Sequence, residues 1–194
     1  LPEGCSKVDF RDPKIWRSGD KFYAVVASRS EDGSGQILLY SSKNLKDWEF
    51  ITVIDKSNNK IGRMWECPDF FNIDESQILI ISPQEMKAEG LRFQNGSNTV
   101  YIIGTYDEEK HSFTRKDYNQ IDYGLDFYAP QTLEAEDGRR IMIGWMNSWE
   151  NRIVPDSFKW CGMMTIPREI TVRDGILIQN PVREIENYYK NSVE

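Results

Sequence analysis

Residues 65–71 read Trp65-Glu66-Cys67-Pro68-Asp69-Phe70-Phe71, and a β-rich run follows them at Gln77–Ser82. The same opening, a short polar step, a proline and then apolar residues, occurs at Arg11-Asp12-Pro13-Lys14-Ile15-Trp16 and at Tyr128-Ala129-Pro130-Gln131-Thr132. Pro13, Pro68 and Pro130 stand 55 and 62 residues apart. Working outward, the first unit continues through Phe22–Ala27, Gln36–Tyr40 and Trp48–Ile54. The second adds Thr99–Tyr106 and Ser112-Phe113-Thr114. The third adds Arg140–Met146, Met163–Val172 and Ile176–Gln179. Each run is short and rich in β-branched or aromatic residues. Turn signals separate them: Ser18-Gly19-Asp20, Glu31-Asp32-Gly33, Asp137-Gly138 and Asp174-Gly175. A four-stranded unit repeated at about 50 residues is the mark of a β-propeller blade. The pattern therefore predicts an all-β chain of about three four-stranded blades. A β-sandwich with irregular turns is the alternative. Closed propellers have about four to eight blades, so three imply an incomplete ring.

Composition narrows the function. The 194 residues hold 24 Lys+Arg against 31 Asp+Glu, a net charge of −7, which disfavours nucleic acid as a partner. Aromatics at 12% give ample material for a core. No apolar run, Ile78–Ile81 included, has the length of a membrane span. Cys5, Cys67 and Cys161 are odd in number and scattered, which argues against a disulfide framework or a zinc site. His111 is the only histidine, so no metal and no cofactor is expected.

The opening residues of inner blade strands gather at one mouth of a propeller channel. Here those residues are Arg11-Asp12, Glu66-Cys67 and Asp126-Phe127-Tyr128. Asp12, Glu66 and Asp126 read as carboxylates at the same step of three repeats, converging on one pocket. Like charges in one pocket raise one another's proton affinity and suit acid–base chemistry. Lys87–Gln94 reads as a loop of the second unit placed to reach over that pocket.

These stretches resemble glycoside hydrolase family 32, the invertases, levanases and sucrose-6-phosphate hydrolases. Phe10-Arg11-Asp12-Pro13 is similar to the family's Arg-Asp-Pro motif, and Trp65-Glu66-Cys67-Pro68-Asp69 to its Glu-Cys motif. Asp126-Phe127-Tyr128-Ala129-Pro130-Gln131 with Gly144-Trp145-Met146 resembles its third stretch, and Trp160 to Met164 with Pro167-Arg168-Glu169 the run that ends its propeller. The resemblance implies a five-bladed propeller and a retaining mechanism on fructosyl bonds of sucrose, sucrose-6-phosphate or fructan. A retaining enzyme needs a nucleophile and an acid about 5 Å apart. By the resemblance Glu66 is the acid/base, kept protonated by burial beneath Trp65 and by its carboxylate neighbours. Asp12 is the transition-state stabiliser with Arg11 beside it, and Asp126, Tyr128 and Trp145 line the sugar pocket.

The family's nucleophile is an Asp in an Asn-Asp-Pro motif of the first blade, and no Asn-Asp-Pro occurs here. The chain therefore reads as blades three to five over residues 1–180, with 181–194 beginning a linker toward a C-terminal β-sandwich. Its expected partners are a fructoside substrate, the N-terminal blades and that sandwich, and alone it is expected to be inactive. Leu1 is not an initiating Met, and the start has neither part of a signal peptide. With the reduced cysteines this points to the cytoplasm, a secreted enzyme being the alternative. A non-catalytic carbohydrate-binding or interaction propeller is the reading of another class.

Overall fold

The computed structural model describes residues 1–150 and 154–189. Strands β1 (Cys5–Ser18), β2 (Lys21–Ser30), β3 (Gly35–Ser42) and β4 (Glu49–Lys56) form the first sheet in chain order. Strands β5 (Trp65–Ile73), β6 (Ser76–Pro83), β7 (Val100–Asp107) and β8 (Ser112–Gln120) form the second, again in order. The third holds β9 (Tyr128–Glu134), β10 (Arg140–Met146), β11 (Met163–Met164), β12 (Arg168–Arg173) and β13 (Ile176–Pro181). Every pairing is antiparallel. A short 3₁₀ helix, Arg183–Tyr188, follows. The four expected turns all fall at strand ends. In one of them Asp174 and Gly175 both have positive φ, 52° and 75°. That is the twist a two-residue hairpin favours.

Alternation along the second sheet explains how the three sheets stack. Leu79, Ile81, Val100 and Ile102 point to one side and join Val25, Ala27, Ile37 and Leu39 of the first sheet in one core. Ile78, Ile80, Tyr101 and Ile103 point to the other and join Met142, Ile170 and Leu177 of the third. The period of two thus sends successive residues into different cores. Each fully buried Ile or Leu contributes about 2 kcal/mol by transfer from water. The outer sheets are covered on one side only. On the first sheet, Phe10, Pro13, Ile15, Tyr40 and Trp48 line an apolar groove of about 310 Å³. On the third, Leu133, Ile143 and Ile176 are exposed. Three sheets in a row, the middle one covered twice, differ from the two facing sheets of a sandwich.

One expected strand is divided. Met163–Val172 is β11 and β12, both lying on the same edge of β10, with Thr165–Pro167 between them. Pro167 has no N–H to give the ladder. Thr165 bridges the gap, its N–H donating to Gly144 O at 2.9 Å while its hydroxyl accepts from the Gly144 N–H at 3.1 Å.

Candidate active site

One backbone device positions the site, and it is used three times. The pairing of β1 with β2 slips between Arg11 and Lys14, and that of β5 with β6 between Glu66 and Asp69. The pairing of β9 with β10 slips between the pairs Tyr128–Trp145 and Gln131–Ile143. At each slip a residue before a proline has left-handed backbone: Asp12 at φ 58°, Cys67 at 48° and Ala129 at 51°. A bulge leaves one residue outside the ladder, and proline suits it because its missing N–H costs no ladder bond. Such a conformation costs a non-glycine residue about 1 kcal/mol or more. It turns the preceding side chain toward the neighbouring inner strands.

The equivalent residues are therefore Arg11, Glu66 and Tyr128, followed by Asp12, Cys67 and Ala129. This corrects the expected step. Asp126 is no counterpart of Glu66, because the bulge sets the register at a fixed distance from the proline and Asp126 lies two residues further out. It stands ahead of β9, exposed.

Arg11, Glu66 and Tyr128 meet. Arg11 Nε donates to Glu66 Oε1 at 2.8 Å, and the Tyr128 hydroxyl donates to Glu66 Oε2 at 2.6 Å. Gln84, the residue after β6, donates to Oε2 at 2.9 Å. Glu66 keeps 13% of its side chain accessible, enough to face a ligand. Asp9 braces the far side of Arg11 at 3.0 Å and pairs also with Arg29. Burial, and next the hydrogen bond to the Glu66 carboxylate, push the Tyr128 phenol far above its ordinary range. It is a fixed donor.

Asp12 sits one step along. Its Oδ2 accepts the Cys67 N–H at 3.1 Å, with the Cys67 thiol at 3.6 Å. Its other oxygen accepts no hydrogen bond among the described residues. Burial, then the charges of Asp12 and Glu66, push the Cys67 thiol up to about 12. Trp65 does not cover Glu66, contrary to expectation. Neighbours on a strand face opposite ways, and Trp65 is fully buried in the first core, donating to Ile61 O at 2.6 Å. Trp145 lies opposite Tyr128 in the ladder, its ring edge-on to Trp149 at 5.3 Å. The loop over 87–94 does not reach across the pocket. It turns to β8, where Phe93 stacks on Tyr118 at 6.1 Å.

A second layer lies just beyond the bulges. Asp69, 1% exposed, accepts the Thr132 N–H at 2.7 Å and the Thr132 hydroxyl at 2.8 Å through one oxygen. Lys14 Nζ lies 3.4 Å from that oxygen and donates to Thr132 O at 2.7 Å. One residue from each inner strand thus locks β1, β5 and β9 together. Among the described residues no group of three His, Cys, Asp or Glu is arranged to hold a metal ion.

Residues 1–181 match the family described as Glycosyl hydrolases family 32 N-terminal domain. A raffinose invertase of Escherichia coli is 41% identical over 186 residues, 96% of this chain and 39% of that protein. A sucrose-6-phosphate hydrolase of Bacillus subtilis is 38% identical over 204 residues, 98% of this chain and 41% of that protein. Among solved structures, the Bombyx mori GH32 β-fructofuranosidase BmSUC1 superposes with a TM-score of 0.93 at 38% identity, covering all of this chain and 41% of that one. A mutant of that enzyme, in complex with sucrose, gives 0.92. The chain belongs to glycoside hydrolase family 32. It spans about two fifths of the length of these relatives.

Proposed function

We propose that these residues carry the acid/base and the transition-state stabiliser of a retaining β-fructofuranosidase acting on sucrose-type fructosides. The observation that carries the reading is Glu66 held by donors from three directions, with Asp12 at the next position of the adjacent strand. In the first step Glu66, as a carboxylic acid, gives its proton to the departing glycosidic oxygen while a nucleophilic carboxylate bonds to the fructosyl anomeric carbon. In the second, the Glu66 carboxylate takes a proton from the water that releases fructose. Arg11, Gln84 and Tyr128 hold Glu66 in place through both. Asp12, one oxygen tied to Cys67, offers the other to fructose hydroxyls, whose hydrogen bonds strengthen as charge develops on the ring.

The nucleophile is proposed to come from outside these 194 residues, since no Asn-Asp-Pro lies within them. The three sheets are read as blades three to five of five, over residues 1–180. The apolar outer faces of the first and third sheets support this, being what adjoining blades would cover. Residues 181–194 are read as leading to a C-terminal β-sandwich, and 190–194 lie outside the described residues. The three free cysteines favour a cytoplasmic enzyme over a secreted one.

The test uses the intact protein that carries these residues. Glu66→Gln is expected to lower sucrose turnover by about 10²–10⁴-fold, and to lower it less for p-nitrophenyl β-fructofuranoside, whose leaving group needs little protonation. Asp12→Asn is expected to reduce kcat far more than it raises KM. Equal loss on both substrates would remove Glu66 from the acid role. Full turnover by both variants would leave the non-catalytic propeller.

A further inference from the structure

The end of the molecule away from Glu66 carries an aromatic cluster to which the chemistry of Glu66 gives no part. β1 passes Arg11 near its middle and reaches Trp16 roughly 16 Å further along the strand. Trp16 is paired with Tyr23 near the start of β2, and Tyr106 stands near the end of β7, before the turn that carries His111. These side chains, with Ser18 and Glu108, line a recess of about 90 Å³ at the seam between the first and second sheets. Both sheets belong to this chain, so the walls are complete without an adjoining blade.

Rings make up most of the wall. Trp16 and Tyr23 stack at 5.7 Å, and His111 stands 5.7 Å from Tyr23 with the planes 50° apart. Tyr106 is fixed against this group, its hydroxyl 2.8 Å from His111 Nδ1 and its ring edge-on to Phe70 at 5.1 Å. Trp16, Tyr23, Tyr106 and His111 are all half-buried, so the recess is preformed and still open to water. The field in it is negative. Burial first, and then Tyr23 and the carboxylates of Glu108 and Asp107, push the Tyr106 phenol up to about 12. The cations close by in sequence are engaged elsewhere. Lys110 pairs with Asp107 at 2.9 Å, and Arg17 lies over the Phe22 ring and donates to Gly19 O.

We propose that this recess binds a small quaternary ammonium ion of the class of choline, with Trp16, Tyr23 and Tyr106 around its methyl groups and Glu108 beside its charge. Electron-rich rings next to a carboxylate attract a cation. They suit best one whose charge is spread over methyl groups. A metal ion wants several oxygen ligands instead, and a lysine-type ammonium is strongly hydrated. The volume is about three times the ~30 Å³ share of one water molecule, room for a nitrogen with its methyl groups and little more. The site does not depend on the assignment of Glu66.

The experiment titrates the intact protein by calorimetry with choline and with the alcohol in which carbon replaces the choline nitrogen. The two have one shape and differ in charge. Choline is expected to bind in the millimolar range, about tenfold more tightly than the alcohol, a difference of about 1.4 kcal/mol. Equal affinities would make the recess merely apolar and overturn the proposal, as would no binding of choline in that range. Trp16→Leu should weaken choline about tenfold. Glu108→Gln, on an exposed turn away from the core, should weaken choline about threefold and leave the alcohol unchanged. It judges the site should Trp16→Leu fail to fold. Unchanged choline affinity in Glu108→Gln overturns the site.

Discussion

Cys67 shows how much one position in this site is asked to do. Its N–H holds Asp12, its left-handed backbone turns Glu66 inward, and its thiol lies among carboxylates. The folded thiol, at about 12, lies above its ordinary value of 9.0. This group's contribution to stability is therefore complete below pH 9 and is lost as pH rises toward 12. At pH 8 Cys67 therefore remains the unreactive thiol. Iodoacetamide at that pH should label the exposed Cys161 and spare Cys67, as read by peptide mass spectrometry. Comparable labelling of the two would contradict the placement of Cys67. At this scale the sequence was legible where chemistry sits beside a proline. Arg11, Asp12, Glu66 and Tyr128 all do, and the structure brings them together. Asp126 is no counterpart of Glu66 because the bulge counts from the proline and not from the nearest carboxylate. Gln84 had no signal, since it reaches Glu66 only through the register of β5 with β6.

Among the elements, the inner strands matter most, because a site built from β1, β5 and β9 is only as precise as their alignment. The Lys14–Asp69–Thr132 layer sets it. Asp69→Ala leaves the buried Thr132 N–H without an acceptor and the Lys14 ammonium without its partner, a loss of about 3 kcal/mol. Asp69→Asn keeps an oxygen for Thr132 and should cost about 1 kcal/mol. Urea midpoints of the intact protein would measure both, and equal losses would show that the hydrogen bonds to Thr132 contribute nothing. Asp69 was legible only as part of a motif. Its partners lie 55 and 63 residues away on other sheets, beyond anything local pattern can see. The strands themselves were legible because alternation and turn residues agree nearly everywhere. The exception is Thr165–Pro167, where a β-rich composition hid the proline's missing donor.

For the molecule as a whole, two outer sheets each present an uncovered apolar face. Surfaces of that kind drive association. The 194-residue chain expressed alone is expected to form multimers at micromolar concentration, by size exclusion with light scattering, and to release no glucose from sucrose. Ile15→Glu with Ile176→Glu should shift it toward monomer, both side chains being about half exposed on those faces. A monodisperse, active chain would refute the idea that neighbours are needed. The twice-covered middle sheet has a consequence in time as well as in space. Its amides can meet solvent only when both flanking sheets have moved, whereas those of β3 or β12 need one departure at most. Deuterium should therefore enter Ile78–Ile81 last of all. The strand that bears Glu66 is paired to that segment, so Glu66 is expected to be among the last residues to leave its place as the molecule opens.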